Sequence, residues 1–253
     1  MDKPTYFPRI VIVSLPEAHE RRKHIRQEFL KFPHLTYEFF DAIKIRSRTE
    51  YPIDYDTYTR KRLFGDDLRP GEVGCFLSHR EIWRQCANST DPAWCILEDD
   101  IQLLPEFEQR VLLLMEHAKE WDVVRLMQLL PRRKSWVLRQ LDHRHVLKNY
   151  DRQPAGTQGY LLKPQTAQKL VEHAKNIVWP IDETLDLYWE HQQRLYCLVP
   201  AAISLEPRFD SQIGPRVADR RPWWRKQQRQ LINGLQGIRR RLYRIKKEFS
   251  ILN

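Results

Sequence analysis

Arg9-Ile10-Val11-Ile12-Val13-Ser14-Leu15 and Trp94-Cys95-Ile96-Leu97-Glu98-Asp99-Asp100 are the stretches that decide the architecture. The first is a short, β-branched apolar run stopped by Pro16, the pattern of a strand buried on both faces. The second is an apolar strand that ends abruptly on three consecutive acids. Between and beyond them, strand patterns alternate with helix patterns.

Glu17 to Phe32 reads as a helix with acidic residues early, and Leu35 to Ile43 as a second strand. Residues 44–70 form a polar, tyrosine-rich connection of poor periodicity. Pro70-Gly71-Glu72 opens a helix to about Cys86. After the strand at 94–97, Pro105 starts a helix to about Lys119. Trp121 to Met127 is a strand, residues 136–150 hold a hairpin, and 156–162 is a turn running into a strand. A helix near Pro164 runs to about Asn176, and Tyr196 to Leu205 is a last strand. The alternation predicts an α/β fold with a mostly parallel central sheet. Ligands of such sheets bind beyond the carboxyl ends of the strands. Ser14 and Glu98-Asp99-Asp100 both fall at such ends, so they line one crevice.

Three adjacent carboxylates repel one another. Strand alternation turns Glu98 and Asp100 to one side and Asp99 to the other. A hard divalent cation, Mn²⁺ or Mg²⁺, relieves the repulsion through oxygen ligands; the alternative is a solvated acidic turn. Gly71-Glu72-Val73-Gly74-Cys75-Phe76-Leu77-Ser78-His79 is a glycine-bearing helix start. It suits close backbone approach to an anionic ligand, or ordinary core packing with His79 bonded internally. Arg21 and Arg22 stand near the Ser14 end of the first strand, placed either to reach a phosphate or to form a solvated face. Asp182 follows the proline-rigidified turn Trp179-Pro180-Ile181. It reads as a general base, as a helix N-cap, or as both.

Of the 253 residues, 43 are Lys or Arg and 33 Asp or Glu, a formal charge of +10. Residues 216–253 alone carry twelve basic residues and two acidic ones, Asp219 and Glu248, so residues 1–215 sum to zero. The division is into a catalytic body, 1–215, and a basic tail, 216–253. No run approaches the ~20 apolar residues of a membrane span. Met1-Asp2-Lys3-Pro4 offers no signal-peptide apolar region, so a cytoplasmic location is expected. Cys75, Cys86, Cys95 and Cys197 show no CxxC pairing. They are expected to be free thiols, and no zinc site is expected.

In order, the chain carries Val-Ser-Leu (13–15), Glu-Arg-Arg (20–22), Phe-Phe-Asp-Ala (39–42), Gly-Glu-Val-Gly-Cys-Phe-Leu-Ser-His (71–79), Leu-Glu-Asp-Asp (97–100), Gly-Thr-Gln-Gly-Tyr (156–160) and Pro-Ile-Asp (180–182). Together they resemble glycosyltransferase family 25, the lipooligosaccharide galactosyltransferases of Gram-negative bacteria and relatives. The likeness runs from about residue 9 to about 206. It implies a GT-A-type, Rossmann-like nucleotide-sugar-binding fold, a UDP-sugar donor (most often UDP-galactose), a divalent ion with Mn²⁺ first, and a β linkage formed with inversion. By position it implies Glu98 and Asp100 at the metal, and Ser14, Leu15 and Asp41 at the nucleoside. Arg21, Ser78 and His79 would lie near the ribose and diphosphate with Asp99 on the donor side, and Asp182 would be the base. The connection at 44–70 departs from the family pattern. The acceptor implied is a lipid-linked oligosaccharide. Rival readings are another UDP-hexose transferase, a non-catalytic homologue, and a nucleic-acid binder. The neutral body and the absence of a recognisable nucleic-acid module weigh against the last.

In the tail, Leu231, Leu235, Ile238, Leu242, Ile245, Phe249 and Leu252 recur at helical spacing, with Trp223-Trp224 ahead of them. Arg239, Arg240, Arg241, Arg244, Lys246 and Lys247 flank the stripe. Gly234 and Gly237 each weaken an isolated helix by about 1 kcal/mol, so a partner surface is required. An anionic membrane face is the expected one, the inner face of the cytoplasmic membrane. Packing on the body and a homodimer seam are the alternatives.

Overall fold

The computed structural model describes residues 7–129, 133–209 and 223–251. Its centre is an eight-stranded sheet in the order β2 (Tyr37–Asp41), β1 (Arg9–Ser14), β3 (Trp94–Glu98), β8 (Gly159–Leu162), β5 (Val123–Arg125), β9 (Leu195–Val199), β7 (Val146–Tyr150), β6 (Ser135–Gln140). β1 pairs parallel with β2 and β3, and β5 with β9. Only β8 and β7 run against the other six, as their antiparallel pairings require. The sheet is thus mostly parallel in strand direction, as the sequence predicts.

The unbroken apolar run of β1 follows from its place in the sheet. Ile10 and Ile12 join a core with Ile25 and Phe29 of α1 (His19–Phe29) and Phe107 and Val111 of α4 (Phe107–Glu116). Val11 and Val13 join a second core with Phe76 and Trp83 of α3 (Pro70–Ala87) and Leu170 of α5 (Pro164–His173). A strand covered on both faces cannot alternate apolar with polar. Each large side chain buried this way contributes about 1.5–3 kcal/mol.

Three departures from the sequence reading have local causes. The connection at 44–70 contains α2 (Thr57–Phe64), capped by Asp56, whose Oδ1 accepts from Thr59 N at 2.8 Å, and closed by Gly65 at φ 85°. The last strand is two: β9 stops before Pro200, which offers no N–H to a ladder, and β10 (Ile203–Leu205) pairs antiparallel with β4 (Ile101–Leu103) in a separate two-stranded sheet. β3 ends at Glu98, and Asp99-Asp100 make a tight turn into β4, so pleat alternation does not reach Asp100.

α6 (Ile181–Asp186) and α7 (Tyr188–His191) follow the proline turn, and α8 (Trp223–Ile251) lies against α2 and α7. Gln228 Nε2 donates to Arg62 O at 2.6 Å, Arg239 pairs with Glu190 at 3.4 Å, Arg240 covers Trp189, and the Tyr243 ring meets Tyr188. The predicted stripe is on another face: Leu231, Leu235, Ile238, Leu242 and Ile245 are exposed. Packing on the body is therefore real, but through a polar and aromatic face that the leucine periodicity does not reveal. Residues 216–222, Leu252 and Met1 to Pro4 lie outside the described residues, as do the side chains of Trp223, Trp224, Arg244, Lys246, Lys247 and Phe249. Among the described residues no helix is long and apolar enough to cross a membrane.

His191 on α7 supplies a pH dependence. Its Nε2 meets Leu185 O at 2.9 Å and its Nδ1 accepts from Gln193 N at 3.2 Å, so the neutral tautomer is fixed. Burial pushes its pKa down from 6.5 to about 4, with His173 adding to the effect. The unfolded chain therefore takes up this proton first. The stabilisation is complete above pH 6.5 and is lost as pH falls toward 4, by roughly 3 kcal/mol. In denaturant titrations over that window, His191→Gln should lose less stability on acidification than the native chain. Parallel slopes would remove His191 as the cause.

Candidate active site

The three parallel strands deliver their last residues to one edge. Ser14 stands opposite Asp41, and Val13 opposite Glu98, so the carboxyl ends of β1, β2 and β3 are level. Ser14 Oγ donates to Asp99 Oδ2 at 2.6 Å, and Arg21 Nη1 donates to Asp99 Oδ1 at 2.8 Å while lying 3.4 Å from Asp100 Oδ2. Arg21 is buried, with the Phe209 ring across its guanidinium at 5.1 Å. The solvated-face reading of this arginine pair therefore does not hold. Arg22 donates to Ser14 O at 2.9 Å and pairs with Asp41, which is exposed at the rim. Leu15 O accepts from Ala18 N at 3.0 Å, turning the chain into α1.

From the other side, Glu98 is held by α3 and the loop before β8. Thr157 Oγ1 donates to Glu98 Oε1 at 2.6 Å, and His79 Nε2 faces the same oxygen at 3.5 Å. His79 is fully buried and its Nδ1 meets the Tyr160 hydroxyl at 2.9 Å. Burial alone would raise the Glu98 pKa; His79, Thr157 and Arg21 together outweigh it and hold the carboxyl below its ordinary value. Asp100 goes the other way. Burial first, then the charges of Glu98 and Asp99, raise it to about 7 against the pull of Arg21. Its Oδ1 is buried without a hydrogen-bond partner.

Ser78 is one layer further in. Its hydroxyl accepts from Ile43 N at 2.8 Å and donates to Gly74 O at 2.7 Å. Gly74 serves the same contact: a Cβ there would sit 2.5 Å from Ile43 O. The glycine allows close approach to backbone, and the two residues clamp the segment leaving β2. The start of α3 is closed by the protein itself, Arg69 N donating to Glu72 Oε2 at 2.8 Å.

Asp182 lies in the first turn of α6, whose N-cap is Pro180, so it is not the cap. Gly156 N donates to Asp182 Oδ2 at 3.3 Å. On the far side of that residue, Arg125 Nε donates to Gly156 O at 2.9 Å and Arg125 Nη1 lies 2.7 Å from Asp186 Oδ1. Ala155 and Gly156 both take positive φ, 62° and 86°, a sharp bend that glycine accepts without cost. Asp186 is raised to about 6, burial exceeding the opposing charge of Arg125.

Sequence reasoning missed Arg125, Thr157, Tyr160 and Cys75 as members of this neighbourhood; Asp186 is, with Glu183, the alternative base that the sequence offers to Asp182. Arg125 carried a signal: a cation inside the apolar strand pattern Val123-Val124-Arg125-Leu126 calls for a buried partner. Cys75 lies close enough to Glu98, Asp182 and Asp100 for all three carboxylates to add to the rise that burial imposes on its thiol pKa.

A family model described as "Glycosyltransferase family 25 (LPS biosynthesis protein)" matches residues 7–185. The chain belongs to glycosyltransferase family 25. It is 28% identical to a glycosyltransferase 25 family member of Aedes aegypti over 201 residues, 72% of this chain and 31% of that protein. It is 35% identical to the lipooligosaccharide biosynthesis protein lic2B of Haemophilus influenzae over 92 residues, 36% of this chain and 33% of the other. Identity to procollagen galactosyltransferase 1-A of Xenopus laevis is 27% over 205 residues, 73% of this chain and 31% of that one. The chain thus spans about a third of the length of these curated relatives.

The clamp on Ile43 is open to a direct check. Gly74→Ala drives a methyl into a backbone carbonyl that has no rotamer to escape through, and should lower stability by about 1–3 kcal/mol, read from the urea midpoint. An unchanged midpoint would mean that α3 and the segment after β2 are not in contact at this distance.

Proposed function

We propose that this glycosyltransferase transfers a hexose, galactose from UDP-galactose first among the candidates, to a hydroxyl of a lipid-linked lipooligosaccharide acceptor, with inversion to a β linkage. The observation that carries the reading is the convergence of Glu98, Asp100 and Asp182 on one place at the carboxyl edge of the sheet. One loop joins them: Thr157 bonds Glu98 and Gly156 bonds Asp182.

Glu98 and Asp100 fit a divalent cation. The pair holds one ionised carboxylate and one whose buried Oδ1 lacks a partner and whose pKa burial and the charges of Glu98 and Asp99 raise to about 7, more than Arg21 offsets. A hard ion such as Mn²⁺ or Mg²⁺ would bind there and stabilise charge on the departing diphosphate. Asp99 has both oxygens committed to Ser14 and Arg21, which suits it to orient the donor side. Ser14, Leu15 and Asp41 are the nucleoside contacts in this reading, with Arg21 and His79 toward the diphosphate and Ser78 supporting the wall. In the reaction, Asp182 accepts the proton of the acceptor hydroxyl, the oxygen forms its bond to the anomeric carbon, and the carbon–oxygen bond to UDP breaks on the opposite face. The identity to lic2B supports the lipooligosaccharide acceptor, and the name of the Xenopus relative supports galactose.

The helix α8 supports attachment to an anionic membrane surface on the cytoplasmic side. It presents an exposed apolar stripe while its other face holds the body, and exposed Arg239 and Arg241 flank that stripe. Basic residues near anionic lipid contribute about 1 kcal/mol each.

Purified protein supplied with UDP-sugars, Mn²⁺ and truncated lipooligosaccharide tests the chemistry. Asp182→Asn should lower turnover at least ~10²-fold with donor binding retained, and Asp100→Asn should remove nearly all Mn²⁺-dependent transfer while leaving the fold intact. Full turnover in excess chelator, or by Asp182→Asn, removes the assignment concerned. For the tail, full-length protein carrying Leu235→Glu and Leu242→Glu should lose salt-sensitive binding to phosphatidylglycerol vesicles and keep donor hydrolysis. Undiminished vesicle binding would exclude the stripe.

A further inference from the structure

Cys75 has no part in the transfer chemistry, yet it faces the centre of the site. Cys75 and His79 are four residues apart on α3 and share a face. Cys75 Sγ, a ring nitrogen of His79 and a carboxylate oxygen of Glu98 all lie within 4.8 Å of one another. His79 is fully buried, and its Nε2 is directed at Glu98 without making a hydrogen bond. Behind the ring, Nδ1 rests on the Tyr160 hydroxyl, which is itself fixed by Trp83 Nε1 at 2.8 Å. A histidine held from behind through one nitrogen, with the other aimed at a thiol and a carboxylate, has the outer support of a metal ligand.

We propose that Cys75, His79 and Glu98 form a binding site for a borderline-soft divalent cation, Zn²⁺ above all, with a fourth position left open. Thiolate and imidazole prefer such an ion to Mn²⁺ or Mg²⁺, which take oxygen ligands. Zinc stands about 2.0–2.3 Å from such donors. On binding, the Cys75 thiol releases its proton to solvent and the sulfur becomes a thiolate ligand, while Nδ1–H of His79 donates to the Tyr160 oxygen. The expectation of no zinc site rested on the absence of a Cys/His pattern along the chain. The third ligand is supplied by β3, which no spacing within α3 reveals. One consequence rests on the reading of Glu98 and Asp100 as the hard-ion pair: Zn²⁺ takes Glu98 from that pair, so Zn²⁺ and Mn²⁺ oppose each other.

Metal-free full-length protein titrated with Co²⁺, a spectroscopic stand-in for Zn²⁺, tests the site without reference to activity. The expected result is a thiolate-to-cobalt charge-transfer band in the near ultraviolet. Zn²⁺ should abolish the band, and it should be absent in Cys75→Ser of unchanged circular dichroism. Cys75 is also the one cysteine of the four that is not fully buried, and its thiol is raised by burial, so labelling of the native wild-type protein with a thiol reagent at alkaline pH, where the thiolate forms, reports on it, and Zn²⁺ should block that labelling. This second measurement decides the matter if Cys75→Ser does not fold. Absence of the cobalt band in the wild type, its persistence in folded Cys75→Ser, or labelling indifferent to Zn²⁺ would each overturn the proposal. Loss of the Mn²⁺ requirement for transfer would instead strike the hard-ion reading and leave the cobalt result standing.

Discussion

The buried pair between Arg21 and Asp99 is the interaction on which the rest of the edge depends. Three carboxylates in succession at the end of a covered strand are mutually repulsive, and burial makes each one more costly. Arg21 answers this by contacting two of them, Asp99 at 2.8 Å and Asp100 at 3.4 Å, from the first helix after β1. Ser14, the last residue of β1, takes the remaining oxygen of Asp99. The turn after β3 is therefore tied to both ends of the β1–α1 connection. Glu206 N, donating to Asp100 O at 2.8 Å, and Phe209 over Arg21 close it from the end of β10. Breaking one partner of such a pair typically costs about 3–5 kcal/mol, because it strands the other charge. The acids are not an addition to the fold; they need the fold to be there at all.

A second arrangement works at longer range. The bend at Ala155-Gly156 offers its N–H to Asp182 and its carbonyl to Arg125, and passes directly into Thr157, which holds Glu98. Arg125 in turn meets Asp186, one helical turn on from Asp182. Two carboxylates on α6 and one on β3 are thereby spaced by a single short segment of backbone. Distances between groups set this way vary little, because the segment is anchored on both sides and Arg125 is fully buried. Positioning of this kind is what the displacement proposed above would ask of its protein.

Much of this was legible from the residues alone. The covered strands β1 and β3, their level carboxyl ends and the meeting of Ser14 with the acids follow from apolar runs stopped by polar ones, whereas the pairing of Arg21 with Asp99 does not. The antiparallel course of β8 was not legible, since a four-residue buried strand reads the same in either direction. Helix α2 could have been found, for Asp56 and Gly65 are ordinary boundary residues; tyrosines and arginines of mixed burial hid its periodicity. The division at Pro200 could have been found too. Ser78 shows the opposite limit: its place in the motif was plain, but its hydroxyl serves the backbone of Ile43, a contact across 35 residues that no local pattern encodes. Arg125 and Asp186 belong to the same class, as partners defined only by the folded chain.

Helix α8 carries two stripes on one cylinder. Gln228, Arg240 and Tyr243 meet the body, and Leu231, Leu235, Ile238, Leu242 and Ile245 do not. A rigid helix cannot present both to the same neighbour. While the inner stripe is seated, the roll of the helix about its axis is set, and with it the direction in which the leucines look. Any surface that covers them consequently meets the domain in one rotational pose. The carboxyl edge of the sheet then keeps a constant bearing relative to that surface, as a compass card does to its housing.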